Sequence, residues 1–85
     1  MGSEKRTQPR KLKTKLKSIR LELGLSQSEM VKALRKHAPR EKLTAPYISR
    51  YEIGLREPSL RVLLAYSKLS GISVNDLIDD KIKMR

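Results

Sequence analysis

Thr44-Ala45-Pro46-Tyr47-Ile48-Ser49-Arg50-Tyr51-Glu52-Ile53-Gly54-Leu55-Arg56-Glu57-Pro58 is the stretch whose reading decides the fold. At helical spacing Ile48, Tyr51 and Glu52 share one face, while Ala45, Pro46, Ser49 and Arg50 fall on the other. The first face can bury itself against the chain. The second offers small side chains around one guanidinium, a poor core but a good probe for a groove. Thr44 stands as the cap, Pro46 lies within the first turn where its missing N–H costs nothing, and Gly54 stops the helix after Ile53.

Working upstream, Ser26 is a good N-cap and Glu29, three residues later, completes a capping box. The helix it opens presents Met30, Val31 and Leu34 and ends before Pro39. Residues 35–43 form a basic connector that either lengthens this helix or loops beside it. Further back, Leu12, Leu16, Ile19 and Leu23 recur as one helical stripe, with Gly24 at its end and Lys11, Lys13, Lys15 and Lys17 off the stripe. Working downstream, Pro58-Ser59 opens a fourth helix with Leu60, Leu63, Leu64 and Ser67 along one face, ended by Gly71. Ser73 caps a fifth, with Asp76 at the capping-box position and Leu77-Ile78 as its apolar pair. No β-alternation, repeat or low-complexity segment occurs, so the expected fold class is all-α with five short helices. Residues 3–11, polar and interrupted by Pro9, read as a flexible arm, and Lys81–Arg85 as a frayed tail. The expected division is therefore an arm over 1–11, one domain over 12–80 and a tail over 81–85.

The chain has 85 residues, of which 38% are hydrophobic, enough for one small core built without Trp or Phe. Its net charge is +11 and unevenly spread: residues 1–20 hold eight Lys/Arg against one Glu, the remaining 65 hold twelve against eight Asp/Glu. A basic arm ahead of a milder body suits a polyanion, nucleic acid being the commonest. Charge alone leaves open a membrane surface, or lysines that merely aid solubility. Cysteine is absent and His37 is the only histidine, so disulfides and cysteine-bearing zinc sites are excluded and no metal or cofactor is expected. Paired carboxylates, a nucleophile–base pair and a Gly-rich phosphate loop are not visible, which argues against an enzyme. No apolar run approaches the roughly 18 residues that span a bilayer and no signal-peptide stretch follows the basic start, so the expected location is the cytoplasm.

From Leu12 to about Asp80 the chain resembles the Cro/C1-type helix-turn-helix family, also called the xenobiotic-response-element family, of DNA-binding transcriptional regulators. The resemblance rests on Ile19-Arg20-Leu21-Glu22-Leu23-Gly24-Leu25-Ser26-Gln27, Ile48-Ser49-Arg50-Tyr51-Glu52, Gly54…Pro58-Ser59-Leu60, Leu63-Leu64 and Gly71-Ile72-Ser73. It implies a five-helix, lambda-repressor-like domain that places its recognition helix, about 44–53, in the major groove of double-stranded DNA. Arg20 and Glu52 match a pair that family members join beneath the DNA-binding surface. Ala45, Pro46, Ser49 and above all Arg50 match base-contacting positions. Ser26, Gln27, Thr44, Tyr47 and Arg56 match phosphate-contacting ones, and Tyr51 faces inward. The resemblance further implies a homodimer, with Leu69 and Ile72 as the candidate surface, and a nucleoid-associated location in a bacterium.

Two features depart from the family. Gln27 to Ile48 spans 21 positions, where the resemblance implies about 14, the two helices of family members being joined by a tight turn. The added residues lack glycine, and Arg35, Lys36 and Arg40 among them could touch the DNA backbone or do nothing. Val31 also stands where the family prefers alanine. The alternative function is an antitoxin-like or adaptor module whose main partner is another protein, since the same fold serves both.

Overall fold

A computed structural model describes residues 11–81. The expected arm lies outside them except for Lys11, as does the expected tail except for Lys81. Five helices follow in order: α1 (Leu12–Glu22), α2 (Gln27–Arg35), α3 (Ala45–Ile53), α4 (Leu60–Ser70) and α5 (Val74–Ile78). No strand occurs among the described residues. No helix among them is long and apolar enough to cross a membrane.

Local chemistry sets the boundaries. Ser26 and Glu29 form the capping box, each bonding the other's backbone N–H at 3.1 and 2.8 Å. The two bonds from Ser26, backbone first and hydroxyl second, hold the Glu29 carboxyl below its ordinary pKa. Ser59 and Ser73 cap α4 and α5 by accepting from Val62 and Asp76 N–H. Thr44 occupies the N-cap of α3 with extended backbone, but its side chain makes no capping bond. Gly54 ends α3 and Gly71 ends α4, both left-handed, with φ of 82° and 77°.

Leu12, Leu16 and Ile19 of α1, Met30 and Leu34 of α2, Ile48 of α3, and Val62 and Tyr66 of α4 make the centre of the core, with Leu77 of α5 beneath them. α3 packs on α1 and α2, while α4 packs on α2, α1 and α5.

Four expectations need correction. The α1 stripe does not run to Leu23, which follows the helix as its C-cap and is 41% exposed. Lys15, taken as an off-stripe lysine, is instead buried at 3% exposure. It lies three residues from Leu12, inside the same face, and its ammonium donates to the carbonyls of Asp76 and Asp79 at 2.6 and 2.8 Å. A helix end leaves such carbonyls orphaned and slightly negative, so the cation is satisfied where its apolar neighbours bury its stem. In α4 the buried face is Val62, Leu63, Ala65 and Tyr66, leaving Leu60 and Leu64 exposed. Val62, Ala65, Tyr66 and Leu69 make a full i, i+3, i+4, i+7 stripe carrying the large ring; Leu60 and Leu64 lie outside it. On α5, Leu77 is buried but Ile78 is 40% exposed.

The Tyr66 hydroxyl is buried with no hydrogen-bond partner. Burial, reinforced by the nearby Glu52 carboxylate, pushes its pKa far above 10.0. Because the folded value is raised, the stability it carries is present below pH 10 and is lost as pH rises, when the unfolded phenol ionises first. Tyr66→Phe removes a buried, unpaired polar atom and is expected to raise stability by about 1 kcal/mol. It should also blunt the alkaline loss, leaving the smaller part due to Tyr51, whose pKa burial raises too. Urea melts of both proteins at neutral pH and above pH 10 check this; a destabilised Phe variant would show that the hydroxyl is satisfied.

Candidate nucleic-acid interface

The orientation of α3 is set by one junction of charged and polar groups. Arg20 donates from Nε and Nη2 to the two carboxylate oxygens of Glu52 at 2.7 and 3.0 Å. Its Nη1 reaches the Leu25 carbonyl at 2.9 Å. The side chains of the pair are 12% and 3% exposed. Gln27, at the first position of α2, donates from its amide to Glu52 at 3.3 Å. The hydrogen bond to Glu52 raises the Arg20 pKa against the opposing effect of burial. One guanidinium thus ties α1, the turn that follows it and α3, and Gln27 adds α2.

With Ile48, Tyr51 and Glu52 buried, the opposite side of α3 is turned outward. Pro46 and Arg50 are exposed there, and Ala45 and Ser49 half-buried. Tyr47 lies between the two faces. Its ring packs on the core and stacks on Tyr51 with centroids 6.4 Å apart at 20°. The Arg50 guanidinium stands 5.7 Å from the Tyr47 centroid and that of Arg56 4.8 Å. Both distances suit cation–π attraction. Arg56 gets there because the turn after Gly54 folds back, with Leu55 and Arg56 N–H both donating to the Arg50 carbonyl. The left-handed Gly54 has the Lys13 side chain against it: a Cβ there would lie 3.0 Å from Lys13 Cδ. Lys13 is therefore beside the α3–α4 turn, a neighbourhood invisible in the spacing of α1.

The structure thus gathers Thr44, Ala45, Pro46, Tyr47, Ser49, Arg50 and Arg56 on one helix and the turn after it. Ser26 and Gln27 stand at the N-terminus of α2, Ser26 exposed and Gln27 half-buried against Glu52. The connector between α2 and α3 is a loop, not added helix: α2 ends at Arg35. It is pinned by Ala38 and Leu43, each 5% exposed, and by a Ser59 hydroxyl bond to Glu41 at 3.0 Å. Among the described residues no group of three or more His, Cys, Asp or Glu could hold a metal ion.

Two helices in tandem, here joined by a loop longer than the usual tight turn, with the second locked to the first helix of the bundle by a buried ion pair, define a lambda-repressor-like helix-turn-helix domain. The sequence model of the helix-turn-helix family matches residues 16–77, more than two thirds of the chain, and the protein belongs to that family, in its Cro/C1-type branch. Family membership makes it one of a class of DNA-binding regulators. Comparison with curated proteins and with solved structures gave no match.

Proposed function

We propose that this protein binds double-stranded DNA sequence-specifically as a transcriptional regulator, with α3 in the major groove. The observation that carries this reading is the division of α3. Its inner face is fixed by the Arg20–Glu52–Gln27 junction while Ala45, Pro46, Ser49 and Arg50 are left outside. Arg50 reads guanine through O6 and N7, and the Ala45 methyl meets a thymine methyl. Ser26 and Gln27 hold a phosphate at the N-terminus of α2, where free N–H groups and the helix dipole favour an anion. Thr44, Tyr47 and Arg56 bind phosphates flanking the groove. The basic arm follows the backbone, and two copies occupy half-sites about 34 Å apart.

Oligonucleotides selected from a random pool test the proposal. The selected duplex should bind about a thousandfold or more tighter than a scrambled one at physiological salt. Equal affinities would defeat it. Tyr47 supplies a second check. The ring, rather than the hydroxyl, is what Arg50 and Arg56 share. Tyr47→Phe should keep base preference and lose only the phosphate bond, about 1 kcal/mol. Tyr47→Ala should also loosen both arginines and blur the selected sequence. Trimming residues 1–11 should weaken binding to every duplex alike and flatten its salt dependence.

A further inference from the structure

The residues that lengthen the connector between α2 and α3 build a groove against α4. It encloses about 300 Å³ and opens outward, at the small end of ligand-site sizes. Its lining is apolar at Ala38, Pro39, Leu64 and Ala65. Arg40, Arg61 and Lys68 supply three permanent cations, with His37 beside them. The only carboxylate lining it, Glu41, already accepts the Ser59 hydroxyl. Leu60 and Leu64, exposed at 64% and 44%, sit one turn apart and form an uncovered ridge on the same helix.

We propose that this groove docks an acidic amphipathic helix of a partner protein. Its apolar side chains would seat on the alanine–proline–leucine floor, and its carboxylates would meet Arg40, Arg61 and Lys68. Charge complementarity selects the acidic character: three cations against the single Glu41 carboxylate attract an acidic segment, repel a basic one and give a neutral one no such attraction. Length selects the occupant: Arg61 to Lys68 spans about 10 Å of helix, matching two turns of a partner. A DNA backbone would use the cations and leave the apolar floor and the Leu60–Leu64 ridge unfilled. The connector also presents a pre-formed surface, because Ala38 and Leu43 are buried and Ala38 N–H bonds the Leu34 carbonyl at 2.9 Å. Little ordering is then left for binding.

The test uses the full chain, ¹⁵N-labelled, and three probes. One is a synthetic peptide of about 12 residues with leucines one turn apart and flanking glutamates. The second has glutamine for every glutamate, and the third is a short DNA duplex. Amide shifts at His37, Ala38, Arg40 and Glu41 and at residues 61–68 with the acidic peptide support the proposal. So does a loss of about tenfold or more in its affinity on Arg61→Glu with Lys68→Glu, or on Leu64→Ser, each variant first shown folded by its amide spectrum. Equal binding of the glutamine peptide, shifts confined to α3 and α1, or unchanged affinity in both variants would overturn it. Duplex DNA shifting the same groove amides would overturn it in favour of a phosphate-contacting connector. Concentration-dependent shifts there without any probe would overturn it in favour of a second copy of this chain. None of these readouts depends on α3 reading bases, so the two proposals can fail separately.

Discussion

Replacing Arg20 by alanine is expected to lower the unfolding free energy by about 3–5 kcal/mol. Glu52 is almost wholly buried, and its two oxygens take their closest bonds from Arg20. Without that guanidinium the carboxylate keeps one 3.3 Å bond from Gln27, and the Leu25 carbonyl loses the Arg20 donor. A domain of this size has only a few kcal/mol to lose. The melting temperature should therefore fall by more than about 10 °C, or the chain should be largely unfolded at room temperature. Far-UV circular dichroism against temperature and urea reads this directly. Removing both charges, with Arg20→Met and Glu52→Leu, should recover most of the loss, because the cost lies in the orphaned charge rather than in the missing attraction. An unmoved midpoint in the single variant would mean that the pair is solvated and contributes little.

Arg50→Ala is expected to cost about 1–3 kcal/mol of binding to the selected duplex, roughly five- to 150-fold. The loss should fall on one base pair: replacing that pair should matter in the parent protein and cease to matter in the variant. The contrast is Arg56→Ala, which should weaken selected and random duplexes by similar factors and lower the salt slope by about one. Competition titrations with single-substitution duplexes distinguish the two patterns. Equal losses on all sequences for Arg50→Ala would move that residue to the phosphate backbone. The structure gives a reason to expect an effect at one position, since the Arg50 guanidinium lies over the Tyr47 ring, 5.7 Å from its centroid, on the outward side of α3.

Much of the fold was legible because its signals are local. A nine-residue helix with Ile48, Tyr51 and Glu52 at helical spacing has one face to bury, and it buries that face. Ser26 and Glu29 announce a helix start through bonds spanning three residues, and Gly54 and Gly71 announce two ends. The Arg20–Glu52 junction needed the family resemblance, since no local rule joins residues 32 positions apart. What stayed hidden depends on where distant elements arrive. Lys15 reads as one more surface lysine until α5 delivers two carbonyls to it. In α4 two apolar stripes overlap, and only the position of the core chooses Tyr66 over Leu60 and Leu64. The sequence leaves the connector open as added helix or as a loop beside α2, and as a backbone contact or a segment with no role. The burial of Ala38 and Leu43, which no periodicity marks, made it a fixed wall. Tyr47 looked like a phosphate contact, and its place between two arginines follows from the backbone folding back after Gly54.

The backbone N–H of Lys11 donates to the Asp80 carboxylate at 3.0 Å, and Lys15 closes on the end of α5 a turn further on. The first and last described helices therefore meet at one corner, and the body is topologically close to a ring. A short glycine-rich bridge from residue 80 to residue 11, with new ends opened in the exposed stretch around Pro39 and Arg40, should yield a circularly permuted molecule with the same packing. Segments attached before Lys11 or after Asp80 would leave from that shared corner, so cargo fused to either side would hang from the same point.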